Sequence, residues 1–341
     1  MTAGSPAPDS IARLLQYRNQ IALHQAIAAI AKFGVADIIA RGTHNTTDIA
    51  RELSLNEDAL FRTLRALASQ GIFEETSPRS FRHTTLSEPL RSDVPGSVRP
   101  LFLFSSSEFC LGPFKEFAYS LQTGIASRQL LSGVNSFEYL AQNPELARIF
   151  DDAMTAFTNL IGPAVANAYD FSAWETLMDV GGGNGILLSH ILSAHKTLCG
   201  LLADVPHVLE RASQRGYLSG DLAARTSMLP CNFFENVPTG ARAYLMKSVI
   251  HDWDDEQSVQ ILKNCRSAIP ANGVLLLVEL GLSGANQPSG GKIIDLFMLV
   301  ITGGKERTPD EYRSLLSRAG FRLDRIVPTG TDWVILESFP V

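Results

Sequence analysis

Asp179-Val180-Gly181-Gly182-Gly183-Asn184-Gly185 (DVGGGNG) lies between two apolar runs, LMDV ending at Val180 and ILLSHIL beginning at Ile186. A short apolar run, a glycine turn and a longer apolar stretch read as strand, loop and helix. Gly181, Gly183 and Gly185 permit positive φ and let the backbone approach a ligand closely. Further apolar runs follow: LCGLLADV (198–205), AYLMKSVI (243–250) and VLLLVEL (274–280). They alternate with helical stretches, which implies a parallel sheet with helices on both faces. The end of the chain differs. FRLDRIVP and TDWVILESF are separated by Thr329-Gly330, too little chain for a parallel return, so the sheet closes with an antiparallel hairpin.

In an open α/β sheet the ligand sits at the carboxyl ends of the strands, where DVGGGNG lies. The dinucleotide fingerprint G-x-G-x-x-G would need glycine at 186 or at 188. Those positions are Ile186 and Leu188, and the spacing here is G-x-G-x-G. Asp179 would repel a pyrophosphate but can orient an ammonium. Asp204 ends the following strand, where a carboxylate can accept the hydroxyls of an adenosine ribose. Loop spacing, Asp179 and Asp204 together select S-adenosylmethionine over a nicotinamide dinucleotide. Asn232 and Phe233 follow the third strand position, where an amide and a ring could hold the edge and face of adenine.

His251 follows AYLMKSVI, at the same sheet edge as the glycine loop. Asp254 and Gln257 behind it form a capping-box pattern that opens the next helix. A histidine titrates near neutral pH and can take a proton from a phenol. Methyl transfer from sulfonium to oxygen needs an oxyanion aligned with the S–CH₃ bond, so a positioned base is its main chemical requirement. Glu279 ends VLLLVEL as a carboxylate in an apolar strand. Pairing with the second nitrogen of His251 would offset its burial and orient the ring. Glu306, in GGKERT, is a second candidate partner; the alternative for it is an exposed loop charge.

The first third of the chain reads differently. Ser10–Phe33 has helical periodicity, with Ile11, Leu14, Leu15, Ile21, Ile27 and Ile30 among many alanines. It is too apolar for a solvated helix; it packs either on its own domain or, the reading favoured, on a second subunit. Two short helices follow, the second capped by Asn56, then a hairpin turning at Ser77–Ser80. Helix, turn, helix and hairpin outline a winged helix. Its second helix carries only Arg62 and Arg65, and the chain has a net charge of −6. That charge argues against nucleic acid and for a dimer module. Residues 100–170 are mostly helical and rich in phenylalanine, of which a subset, Phe157 among them, could line an aromatic pocket.

With 341 residues, 45% of them hydrophobic, the chain can support two domains with packed cores. Cys110, Cys199, Cys231 and Cys265 lack CxxC pairing and read as buried thiols of a reducing compartment, with no metal site expected. No apolar run reaches the roughly 18 residues of a membrane span. MTAGSPAPDS lacks a signal-peptide pattern, and a cytoplasmic protein is expected.

The stretches DVGGGNG, LADVPHVLERA, CNFFENVP, LMKSVIHDWDDEQ, LLLVE and KIIDLFMLVITGGKERTPDEYRSLLSRAGF carry a resemblance. In this order they resemble the plant caffeic-acid-type and bacterial small-molecule O-methyltransferases, over essentially the whole chain. The resemblance implies a Rossmann-like seven-stranded α/β methyltransferase sheet ending in an antiparallel hairpin, after a mostly helical winged-helix dimerisation domain. It implies domains over 1–98 and 171–341, with a helical segment over 99–170 contributing to the substrate pocket. S-adenosylmethionine would be held by Asp179, Gly181, Gly183, Asp204, Asn232, Phe233 and Lys247. His251 would be the base, bracketed by Glu279, its orienter, and Glu306. Met154, Phe157, Asp252, Trp253 and Met298 would line the acceptor pocket of a homodimer acting on a phenolic or polycyclic aromatic molecule in secondary metabolism. This chain has Cys231-Asn232 where the family has Gly-Asp, which removes a charge beside adenine. Some relatives keep the cofactor but hydroxylate or decarboxylate, usually after losing the base; His251 is present here and favours methyl transfer.

Overall fold

The computed structural model describes residues 8–341, which divide into two compact units between Leu111 and Gly112. The first unit opens with helix Pro8–Phe33, which Gly34 ends in the left-handed region at φ 68°. Helices Thr46–Leu53 and Glu57–Ala68 follow. Each is capped by an asparagine: Asn45 accepts from the Thr47 N–H and Asn56 from the Ala59 N–H, both at 2.9 Å. Strands β1 (Phe73–Ser77) and β2 (Ser80–His83) form the antiparallel wing. Ile30, Val35, Ile39, Ile49, Leu64, Leu67, Phe73 and Phe81 fill the core of this unit. The two basic side chains of the second helix are engaged internally. Arg62 pairs with Asp58 at 4.0 Å and Arg65 lies over the Phe61 ring.

The second unit is built on seven strands: β3 (Thr176–Val180), β4 (Cys199–Asp204), β5 (Thr226–Pro230), β6 (Ala243–Lys247), β7 (Val274–Leu280), β8 (Phe321–Pro328) and β9 (Trp333–Pro340). Their spatial order is β5-β4-β3-β6-β7-β9-β8. The first five run parallel, and β9 runs antiparallel to both β7 and β8. The terminal hairpin therefore inserts its second strand next to β7. The run AYLMKSVI is shorter as a strand than its apolarity suggests. It stops at Lys247 because Ser248 turns into the left-handed region at φ 52° and gives its N–H to the Val278 carbonyl.

Alternation along each strand divides the core into two layers. Met178, Val180, Tyr244, Met246, Leu275 and Leu277 meet helices Asp255–Ala268 and Pro309–Arg318 on one face. Leu177, Leu202, Leu245, Leu276 and Val278 meet helices Pro144–Ala168 and Ile186–Ala194 on the other. The same alternation sorts the polar strand ends. Asp179 and Lys247 share the parity of Leu177 and Leu245, the face of helix Pro144–Ala168. Glu279 shares that of Leu277, the face of helix Asp255–Ala268. Of the cysteines, Cys110, Cys231 and Cys265 are buried, whereas Cys199 is exposed, because it opens β4 at the sheet margin. No helix among the described residues is long and apolar enough to cross a membrane.

Candidate active site

The glycine loop leaves β3 with φ of 69° at Gly181, 56° at Gly183 and 77° at Gly185, a run of left-handed turns that L side chains disfavour. Helix Pro144–Ala168 is pinned over it by two threonines. The Asn184 amide donates to Thr155 Oγ1 at 3.0 Å, and Lys247 Nζ donates to Thr158 Oγ1 at 3.2 Å. Asp204, at the end of β4, accepts the Gly183 N–H at 2.9 Å and the Val205 N–H at 2.7 Å. Burial raises its carboxyl above the usual range, opposed by those two hydrogen bonds.

Asp179 is wholly buried, and its Oδ2 has no hydrogen-bond partner among the described residues. Burial pushes its pKa up to about 7, with the Asp204 charge adding to the shift. Burial likewise draws Lys247 down to about 8, against the pull of Glu279, Asp179 and Asp252. These residues fit S-adenosylmethionine. Asp179 Oδ2 awaits a donor, as the Asn184 Oδ1 also does. A Cβ at Gly183 would meet nothing within 4 Å, so the loop is open there. Two carboxylates at the glycine loop favour a cationic ligand over a pyrophosphate.

His251 stands on the short turn Ile250–Asp252 beyond β6. Its Nδ1 lies 2.7 Å from Glu306 Oε1. With Nδ1 donating, the neutral ring carries its lone pair on Nε2, whose charged neighbour Asp252 Oδ1 is at 3.8 Å, beyond hydrogen-bond range. One side-chain nitrogen or oxygen from each of His251, Glu279 and Glu306 lies within 4.8 Å of the other two. Glu279, expected as the orienter, instead accepts the Ile250 N–H at 3.1 Å. Strand parity explains this: Glu279 points under the turn and holds its backbone, while Glu306 reaches the ring from another segment. Glu306 is 3% exposed, not a solvated loop charge. Burial alone would lower the His251 pKa, but Asp252, Glu306 and Glu279 together raise it to about 9. Burial lifts Glu279 to about 7 and Asp252 to about 6, with His251 opposing both.

The other sequence-expected residues divide. Phe233 is half-buried, and a Cβ on Gly181 would stand 3.4 Å from its ring, so it borders the glycine loop. Asn232 is exposed, and its amide is engaged by its own turn: Nδ2 donates to Glu235 at 2.9 Å and Oδ1 accepts the Phe234 N–H. Trp253 stacks on Phe137 with centroids 5.4 Å apart and meets Phe234 edge-on at 4.7 Å. Met154 is half-buried on helix Pro144–Ala168, one turn before Thr158, which donates to its carbonyl. Phe157, on the same helix, packs edge-on against Trp333. Met298 is half-buried in helix Gly290–Ile301, and its carbonyl accepts from the Gly303 N–H at the entry to GGKERT. Sequence reading missed Thr155, Thr158, Asn184 and Arg307. Asn184 was in view inside the glycine loop. The threonines had no signal, because a helical threonine meets Asn184 or Lys247 only once the helix is docked.

An O-methyltransferase dimerisation domain matches residues 15–93, and an O-methyltransferase domain matches residues 117–322. The chain is 38% identical to the phenazine O-methyltransferase PhzM of Lysobacter antibioticus over 328 residues, 96% of each protein. Among solved structures, LaPhzM aligns with a TM-score of 0.93 at 38% identity, covering 98% of this chain and 100% of that one. The neocarzinostatin-biosynthesis O-methyltransferase NcsB1, crystallised with S-adenosylmethionine and 2-hydroxy-5-methyl naphthoic acid, aligns with a TM-score of 0.80 at 32% identity, covering 94% and 96%. A glycine loop flanked by Asp179 and Asp204, a largely buried histidine on the same sheet edge and these alignments over nearly all of both chains lead to one conclusion: the chain belongs to the O-methyltransferase family that couples an N-terminal dimerisation domain to a methyltransferase domain.

Proposed function

We propose that the protein methylates a hydroxyl of a phenolic or polycyclic aromatic small molecule, with His251 as the base. The observation that carries this reading is the contact of His251 Nδ1 with buried Glu306 at 2.7 Å, which leaves Nε2 to accept a proton at the sheet edge that bears the glycine loop. S-adenosylmethionine supplies the methyl group. Asp204 holds the ribose and Asp179 orients the amino group, Phe233 borders the adenine and Lys247 stands at the outer face. Asn232 can still offer an amide to adenine, at the expense of its bond to Glu235. Met154, Phe157, Asp252, Trp253 and Met298 form the acceptor side. His251 takes the proton from the hydroxyl, and the resulting imidazolium is stabilised by Glu306 and Glu279. A phenol similar to a tyrosine side chain titrates near about 10, so an imidazole raised to about 9 is nearly matched to it. The protein is a homodimer through the unit that contains the dimerisation domain. The boundaries that suit this reading are a dimerisation domain to residue 98, pocket helices over 99–170 and a methyltransferase domain from 171.

The test uses methyl-labelled S-adenosylmethionine and a panel of hydroxyphenazines, hydroxynaphthoates and hydroxybenzoates. Label should appear in an aromatic ether. His251→Ala should lower kcat by about 10² to 10⁴, while calorimetry with S-adenosylhomocysteine returns an affinity close to wild type. Wild-type turnover in the variant would remove His251 from the role of base.

A further inference from the structure

Beside Glu306 the fold buries a charge that the reaction does not use. Arg307 is 1% exposed, and a guanidinium withdrawn from water is costly unless its donors are satisfied. Its Nη1 donates to the Ile250 carbonyl at 2.9 Å and to the Lys305 carbonyl at 3.3 Å. Its Nη2 donates to the Trp253 carbonyl at 2.8 Å, to Asp255 Oδ1 at 2.9 Å and to Ser258 Oγ at 3.2 Å. Its Nε donates to the same Asp255 oxygen at 3.1 Å. The planar fork thus grips two carbonyls that flank His251 in sequence, and ties them to the first turn of helix Asp255–Ala268.

The neighbours of Arg307 act on the same turn. A Cβ on Gly304 would overlap the His251 carbonyl oxygen and stand 2.7 Å from the Trp253 nitrogen, so only glycine lets the two segments touch there. The Glu306 N–H donates to Asp295 Oδ1 at 2.8 Å, which fixes the segment from its other side. Residues 304–307 therefore hold the backbone of the turn, and Glu306, between Lys305 and Arg307, presents its carboxylate to the ring.

Resting on the reading of His251 as base, we propose that Arg307 is a positioning residue for methyl transfer. It locks the backbone on both sides of His251 so that one ring nitrogen meets Glu306 and the other is held toward the acceptor. A fork is needed because three carbonyls, a hydroxyl and a carboxylate must be reached from one buried point. A lysine ammonium keeps the charge but has three donors at a single atom and cannot span them.

The test is Arg307→Lys in the full-length protein, with the panel acceptor of highest turnover. We expect kcat to fall about tenfold or more, as misplacement of a reacting group on the order of 1 Å does. Acceptor KM and the affinity for S-adenosylhomocysteine should stay within about threefold. The His251 ring, titrated by NMR with S-adenosylhomocysteine bound, should lose about one unit of pKa as its contact with Glu306 loosens. In a His251→Ala background, Arg307→Lys should have no further effect on turnover. Undiminished kcat, an equal loss in the His251→Ala background, or a parallel loss of S-adenosylhomocysteine affinity would each overturn the assignment. If Arg307→Lys does not fold, Asp255→Ala, at a half-exposed partner, is read the same way, with about a threefold loss of kcat expected. Wild-type turnover by His251→Ala would defeat the base assignment alone, because the ring titration reports the positioning independently.

Discussion

The acidic surroundings of His251 favour a charge on its ring. Burial opposes that charge, but Asp252, Glu306 and Glu279 outweigh it and raise the pKa from 6.5 to about 9. The protonated ring cannot accept a proton, so with His251 as the proposed base the active form grows as pH rises through that value. The kcat/KM profile should therefore ascend with a limb near pH 9. Glu306→Gln removes one negative charge and weakens the hydrogen bond to Nδ1. Both changes lower the His251 pKa, so the limb should move to lower pH by about one unit or more, with a lower plateau. An unmoved limb would mean that another group sets it. Glu279→Gln tests charge without a ring hydrogen bond: it removes a negative charge near His251 but keeps an acceptor for the Ile250 N–H, so the limb should move to lower pH by less than in Glu306→Gln.

Two glycine-containing segments at the site depend on glycine for different reasons. Gly183 needs its φ of 56° and has open space around its missing side chain. Gly183→Ala should cost about 1–2 kcal/mol from backbone strain. Gly304 needs room, since an alanine methyl would collide with the His251 carbonyl and the Asp252–Trp253 backbone. Gly304→Ala should cost about 1–3 kcal/mol as overpacking and should also lower kcat, because the segment that yields is the one bearing His251, the proposed base. Thermal melts and turnover on the same samples distinguish the two. Gly183→Ala should weaken S-adenosylhomocysteine binding and Gly304→Ala should spare it. The helix after His251 begins with the capping box of Asp254 and Gln257, and the helix after Arg307 with that of Thr308 and Glu311. Both elements that frame His251 thus start at well-defined positions.

Over the whole molecule, the first unit shows water an apolar stripe that its own core does not cover. Leu14 is 69% exposed and Ile21 67% exposed on helix Pro8–Phe33, inside or just before the matched dimerisation domain. In a two-fold dimer each such residue is buried twice. Leu14→Glu combined with Ile21→Glu should halve the mass measured by light scattering at micromolar concentration, while the circular dichroism of the protomer is retained. A dimer mass in that variant would place the interface elsewhere on the unit.

The elements were legible in the sequence because their causes are local. Apolar runs punctuated by glycine gave four of the parallel strands, asparagine and aspartate caps gave helix starts, and the short Thr329-Gly330 link forced an antiparallel closure. The glycine spacing with Asp179 and Asp204 chose the cofactor, since charge and φ are properties of single residues. Pairings across the fold were not legible. That β9 would enter between β7 and β8 depends on the sheet order. That Glu306, and not Glu279, would meet the His251 ring depends on strand parity and on a segment 55 residues distant. Arg307 carried no sequence signal, because its partners Ile250, Trp253 and Asp255 come together only when the turn is folded against it. Sequence by itself determined which chemical groups stand at the carboxyl edge of the sheet. Only the tertiary structure decided which of them touch, because contact between remote segments is set by packing and long-range register, and neither is written in any local stretch of the chain.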